Sequence, residues 1–357
     1  MEEAACEASP PAAQAKGRSS EKRSREESTF AFVRAIEGHE GTVSTVRFQP
    51  TSGKLLASAS ADRTVRIWDC ETGNQTQILR GHEAGLNDVS WRKNGGGVCS
   101  ASDDSTVNVW NVETGDVERR LQGHTNLVFS ARCGTSENLV VSGSFDETVR
   151  VWDMRVEEAV RVLNAHSDPV TSVDIDHEDG LMVTASFDGM LRIWDVSNGK
   201  CLKTIVEAGD CCPLTYAEFT PNGKFMLVMR LDGVMLLVDA DSNQIKRRYR
   251  GHINEKYCLI PAITRVPGPT NNRWLVSGSE DGSIALWDVQ RKKKNKKLED
   301  QDGCVQVSQR IGHRGEFPDG HCAPVTCVDT NSTENLVVTG SAKGDASIRL
   351  WQERLVE

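Results

Sequence analysis

The sequence predicts an all-β protein: a closed ring of seven four-stranded sheets, a β-propeller. Three observations carry this. Gly-His or Ala-His pairs end at His39, His82, His124 and His166, spaced 43, 42 and 42. Trp68, Trp110, Trp152 and Trp194 follow at intervals of 42. A repeat of that length, holding several short alternating segments, marks a propeller blade. The third observation is an Asp six residues before each Trp: Asp62, Asp104, Asp146, Asp188, then Asp281 before Trp287 and Asp345 before Trp351. The same offset sets Asp232 before Val238, in a unit that has lost both Trp and His, and so completes seven units.

Each element follows from local pattern. In TVRIWD, Val65 and Ile67 face one way and Thr64, Arg66 and Trp68 the other, the period of a strand. Residues 1–28, rich in Ala, Ser, Pro, Lys and Glu, read as a disordered tail. Residues 29–36 (TFAFVRAI) match the outer strand that precedes each Gly-His, as in NQTQILRGH. They are expected to pair with SIRLW (347–351) and close the ring, which removes two exposed sheet edges. The propeller then spans 29–357. The sixth-to-seventh connection carries a polar insertion at about 290–303, read as a basic surface loop. Lys292, Lys293, Lys294, Lys296 and Lys297, like Lys22, Arg23 and Arg25, read either as nuclear-import signals or as solvated charge. The seventh unit offers two histidines, His313 and His321.

Composition narrows function. With 38% hydrophobic and 26% charged residues in 357, the chain is neither collagenous nor a coiled coil. No run of 18 apolar residues suits a membrane span, and the first residues carry no apolar core of a secretory signal. The eleven cysteines are therefore expected as thiols, and Asn74 and Asn331 stand in sequons without consequence. A net charge of −9 provides no global field for nucleic acid. His321, Cys322 and Cys327 come nearest to a metal set but lack a second matching pair, so no metal or cofactor is expected. There is no Gly-rich phosphate loop, GxSxG or HExxH, and the expectation is a non-enzymatic protein.

Trp-Asp at 68–69, 152–153 and 194–195 resembles the WD repeat. The resemblance implies that each Asp sits in the tight turn between the second and third strands and holds the His before the first. A Ser or Thr four residues before the Asp (Ser58, Ser100, Ser142, Thr184, Ser277, Ser341) and the Trp indole would complete a buried polar network. In the fifth unit Val228 and Val238 replace two members, leaving Asp232 a turn role only.

The strings SASDD (100–104), SGSFDE (142–147), AHSDPV (165–170), FTPNGK (219–224), GHINEKYC (251–258) and SGSED (277–281) lie in order at the expected blades. Together they resemble the WD-repeat protein five family, propeller subunits of SET-domain histone H3 methyltransferase complexes. The resemblance implies a scaffold in the nucleus, with some cytoplasmic presence, a monomer within a hetero-complex. Its partners would be proteins: the methyltransferase, other subunits and the histone H3 tail. One mouth of the ring would take an arginine side chain between two aromatic rings. The matching positions are Phe129 for one ring, with Ala61, Asn87, Asp103, Phe145, Pro169, Thr171, Phe187, Thr215, Tyr257 and Cys258 around it. Asn87, Thr171 and Thr215 stand where the family tends to have serine. The second ring falls on Ile260, which has no π face. A second cleft on the opposite face, at Asn222, Phe225, Leu237 and Arg247, would take a short acidic and hydrophobic segment of another subunit. Two other readings stand beside this one. VVSGSFDETVRVWDMR (140–155), through Arg155, resembles the box by which some propellers dock to cullin-type ubiquitin ligases, and the fold alone also suits a spliceosomal or other multiprotein scaffold.

Overall fold

In the first unit, Val43–Phe48, Leu55–Ser60, Thr64–Asp69 and Gln75–Arg80 pair antiparallel in chain order. Val65 and Ile67 pack against the next sheet, and Trp68 packs on the opposite side. The computed structural model describes residues 28–156, 158–206, 211–264, 274–289, 304–312, 320–331 and 335–355. The same plan recurs in seven sheets whose first strands line the ring axis and touch around it. These inner strands are Val43–Phe48, Leu86–Trp91, Val128–Cys133, Val170–Ile175, Leu214–Phe219, a short Ala262–Ile263, and Val325–Asn331. The tail 1–27, the basic run at 292–297 and His313 lie outside the described residues.

Ring closure takes the expected form. Ser28–Ile36 pairs antiparallel with Ile348–Leu355, Phe32 opposite Trp351. Phe30 meets the Trp274 ring edge-on at 6.3 Å, and Phe32 meets Trp351 at 5.6 Å. The last blade is thus built from both ends of the described chain.

Five blades carry a buried relay among the described residues. In the first, the Trp68 indole donates to Ser58 Oγ at 2.8 Å, and the hydroxyl meets His39 Nε2 at 2.7 Å. His39 Nδ1 donates to Asp62 Oδ2 at 2.7 Å. Asp62 Oδ1 also accepts from the Thr64 amide and hydroxyl, which pins Arg63 in the left-handed region at φ 70°. Blades two, three and four repeat the set through His82, His124 and His166. In the seventh blade the histidine is His321, bonded to Asp345 at 2.6 Å and Thr339 at 2.8 Å. Both its nitrogens are taken, which leaves none for a metal.

Two network expectations are corrected. The seventh hydroxyl is Thr339, not Ser341, because the turn there has extra residues; Ser341 bonds Ser347 instead. In the sixth blade Ser277 donates to Gly278 O, Trp287 donates to Arg250 O at 3.1 Å, and Asp281 pairs with Arg310 at 3.0 Å. His252 there touches Met229 Sδ and has no carboxylate partner; burial pushes its pKa down to about 4. Asp232 caps its turn through the Val234 amide, as expected, but its role is not confined to the turn: it also pairs with buried Arg230 at 2.8 Å.

The connection after Ile284–Asp288 holds strand as well. Its described end, Val305–Gln306, adds a fifth, parallel strand to Ile245–Arg250 of the fifth blade before Gln309–Ile311 returns to the sixth. The stretch 290–303 itself lies outside the described residues.

Two outcomes are expected. A chain beginning at Glu37 loses the burial of Phe30 and Ile36, roughly 1.5–3 kcal/mol each, so urea unfolding should show about 3–6 kcal/mol less stability than a chain beginning at Ser28. Equal stability would refute closure by this strand. Asp146→Ala strands a buried His124 and should cost about 1–3 kcal/mol in the same assay.

Candidate functional site

Six inner strands carry a β-bulge at their second residue: Ser44, Asn87, Phe129, Thr171, Thr215 and Thr326. A bulge re-aims one side chain out of the strand's alternation. Here it turns that residue toward one mouth of the channel, where all six line a cavity of about 240 Å³. The sixth blade, whose inner ladder begins only at Ala262, contributes Tyr257, Cys258 and Ile260.

The polar bulge residues use their protons sideways. Ser44 donates to Leu86 O at 2.6 Å, Thr171 to Leu214 O at 2.8 Å, and Thr326 to Val43 O at 2.5 Å, each on the next blade. Asn87 Nδ2 donates to Val128 O and to Asp103 Oδ1. What these groups have left for the mouth is acceptor lone pairs. Among the six, only Phe129 is apolar.

A second ring forms the rim. The residue before each turn Asp donates its amide to the segment just ahead of the inner strand: Ala61 to Thr42, Asp103 to Gly85, Phe145 to Leu127, Phe187 to Pro169. Phe145, 42% exposed, and Phe187 stand 6.1 and 6.3 Å from Phe129. The aromatic rings therefore cluster on the side of blades three and four. Ile260 lies at the far side, 8% exposed, its backbone bonded to Thr326 and Val328 of the seventh blade. Tyr257 is exposed beside it, and burial pushes the Cys258 thiol up to about 12. All twelve sequence-selected mouth residues thus lie on these two rings or beside them.

Sequence reasoning missed the channel below. The third and fifth positions of the inner strands place Asp88, Tyr216, Arg47, Arg132, Asp174, Glu218 and Asp329 around the axis. Arg132 bonds Asp88 and reaches Tyr216 Oη at 3.2 Å; Arg47 donates to the same Oη at 2.6 Å. Arg47 also faces Glu218 at 3.6 Å and Asp329 at 3.8 Å, and Arg132 faces Asp174 at 3.7 Å. Two guanidinium groups thus face four carboxyl groups. Burial, reinforced by Glu218, pushes Asp174 up to about 7 against the pull of Arg132. Burial likewise pushes Asp329 up to about 6 against Arg47. The signal was a charge at the fifth position of five inner strands that otherwise carry no charge. Beneath the network, a cavity of about 350 Å³ opens at the opposite face, lined by Phe48, Phe219, Leu227, Ile263, Glu218 and Asp329.

The four second-cleft residues sit on the fifth blade. Asn222 caps a turn at the end opposite the mouth, accepting from Thr220 and Lys224. Phe225, Leu237 and Arg247 share the face turned to the sixth blade, Leu237 directly opposite Arg247. The Arg247 guanidinium donates to Val289 O at 2.5 Å. Leu237 packs on the same apolar cluster as Val305 and Val307.

Seven blades, five of them held by this relay, around a bulge-lined mouth define a WD-repeat propeller, a fold that typically serves as a non-catalytic scaffold for protein interactions. A family profile described as "WDR5 beta-propeller domain" matches residues 35–352, and the chain belongs to that family. Among curated relatives, "Nuclear distribution protein PAC1" of Fusarium vanettenii and of Gibberella zeae are each 47% identical over 68 residues, 17% of this chain and 15% of their own length. The protein of that name from Arthroderma benhamiae is 43% identical over 67 residues, 17% of this chain and 14% of its length. The chain thus matches only about 15% of the length of these relatives.

The channel carboxyls set a pH dependence. Asp174 and Asp329 have folded pKa values above the ordinary carboxylate range. Their contribution to stability is therefore complete below about pH 4 and is lost as pH rises through roughly 6–7. Asp329→Asn removes one such titration and keeps an acceptor for the Phe48 amide. Its melting temperature relative to wild type should climb between pH 5 and pH 8. A pH-independent difference would show that Asp329 is already ionised throughout.

Proposed function

We propose that this protein is a non-enzymatic scaffold of a nuclear, chromatin-modifying complex of the histone H3 lysine methyltransferase type. It would hold an arginine side chain of the methyltransferase or histone tail in the mouth and a second subunit on the opposite face. The supporting observation is the set of spent donors: Ser44, Asn87, Thr171 and Thr326 present acceptors to the mouth. Such a lining suits a donor-rich cation and disfavours a carboxylate. Phe129, backed by Phe187, supplies a face for a guanidinium plane.

The test is calorimetry with an arginine-containing peptide from this organism's own methyltransferase. Phe129→Ala should abolish binding. Ile260→Phe should tighten it by about tenfold, since one aromatic face contributes roughly 0.5–2 kcal/mol and a factor of ten is about 1.4 kcal/mol. An Ile260→Phe protein that binds no better means the pocket is built around a different group, and indifference to both changes means the mouth takes no arginine.

One observation favours a second reading. Arg155 has a side chain 73% exposed, held by Asp153 through contacts of 2.9 and 2.5 Å, the presentation a docking arginine would need toward a cullin-type adaptor. Affinity purification with mass spectrometry separates the two: SET-domain subunits support the first, a cullin adaptor the second.

A further inference from the structure

The fifth blade is the one sheet that, among the described residues, carries a strand beyond its own four. Tyr249 pairs with Val305 and Arg250 with Gln306, in parallel. We propose that residues 304–307 of the chain occupy this outer edge as a displaceable resident segment, so that an extended segment arriving there has to replace them.

Geometry and chemistry both support this. Val305 and Val307 stand two apart, so they face the same side, and both pack on the cluster that holds Leu237, Tyr249 and Trp287. The seat is tight: a Cβ on Gly251 would come within 2.6 Å of Val307 Cγ2, and Gly251 adopts φ 120°. Cys304 is 2% exposed. The edge strand Ile245–Arg250 bears Lys246, Arg247, Arg248 and Arg250 and no carboxylate. In the sequence, Glu299, Asp300 and Asp302 stand shortly before Cys304. Addition of an extended segment to a sheet edge, main chain for affinity and alternate side chains for specificity, is a recurrent mode of peptide recognition. Among the described residues the ladder engages two of the six edge residues. Such an occupant stays seated chiefly because its tether holds it at an effective concentration of about a millimolar or more, and a better extended segment can replace it.

This deepens the opposite-face reading above, because a subunit arriving at this edge has to displace residues 304–307. It is tested without any partner. The full chain is treated with iodoacetamide and each cysteine followed by peptide mapping, with exposed Cys322 as reference and buried Cys99 and Cys327 as controls for the fold. Cys304 should react about tenfold more slowly than Cys322. In Val305→Ser/Val307→Ser the two rates should converge while Cys99 and Cys327 stay protected. If that double variant exposes all four, Gly251→Ala, which crowds Val307, is the second test and should release Cys304 alone. A synthetic peptide of residues 298–309, with serine for its cysteine, should at millimolar concentration accelerate Cys304 in wild type, and the same peptide with serines for both valines should not. Cys304 reacting as fast as Cys322 in wild type would overturn the docking. Protection that the valine peptide does not relieve, or that both peptides relieve equally, would overturn the idea of a displaceable occupant. Loss of the methyltransferase from purified complexes, by contrast, would sink the scaffold reading and leave these labelling results standing.

Discussion

In five blades an imidazole is locked between a hydroxyl and a carboxylate, and every proton in the chain of contacts has one place to go. The indole donates to the hydroxyl, the hydroxyl to the imidazole, and the imidazole to the Asp. Burial lowers the pKa of His39, His166 and His321, which keeps these rings neutral. Burial alone would raise Asp62, but the bonds from His39 and Thr64 outweigh it and hold the carboxyl well below its usual range. One charge, satisfied on all sides, is tolerated where an unpaired one would not be. The relay reaches from the loop ahead of the inner strand to the turn between the second and third strands. The residue just before that turn's Asp forms the rim of the mouth. The shape of the mouth therefore depends on a polar network that does not line it.

Where the relay is lost, other contacts take over. The fifth blade fills the space with Val228 and Val238 against Leu191 and Leu214. The sixth keeps its His and Asp but parts them: Arg310 takes Asp281, and Trp287 reaches across to Arg250. The short inner ladder of the sixth blade leaves Ile260 bridging to Cys327 of the seventh. The added strand at Val305–Gln306 lies at this same junction. A bridging strand is one way to tie together two blades that no longer share the standard clamp.

The blade count was legible because the Asp-to-Trp spacing survives every substitution, and the closing strand because TFAFVRAI repeats the outer-strand pattern. The seventh hydroxyl was misplaced because counting back from Asp345 assumes a turn of fixed length, and 341–347 is longer than 60–64. The fifth strand on blade five left no trace, since a two-residue parallel pair has no periodicity to read. The mouth was legible only through family resemblance: a bulge breaks the count by two, so alternation along Val128–Cys133 does not aim Phe129 at the axis. The channel charges were readable in principle. Arg47, Arg132, Asp174, Glu218 and Asp329 stand at one position of five of the seven inner strands, yet surface charge is the common fate of such residues and the repeat consensus draws attention elsewhere.

The bulges link the packing of blade on blade to the chemistry of the mouth. A strand without them would send Ser44, Asn87, Thr171 and Thr326 into the neighbouring sheet. With them, each reaches the adjacent inner strand and donates to its carbonyl, so the contact that fastens blade to blade also decides the polarity of the mouth. Phe129 cannot make that contact, and its place in the ring is supported by Phe145 and Phe187 instead. The mouth is therefore apolar and aromatic on one side, aliphatic at Ile260 on the other, and rich in acceptors between. The arginine proposed above would fit that division, with one face on Phe129 and its edge toward the oxygens. Its other face would meet Ile260, which packs without attracting its charge, so on that proposal binding would rest on hydrogen bonds more heavily than in a pocket with two rings.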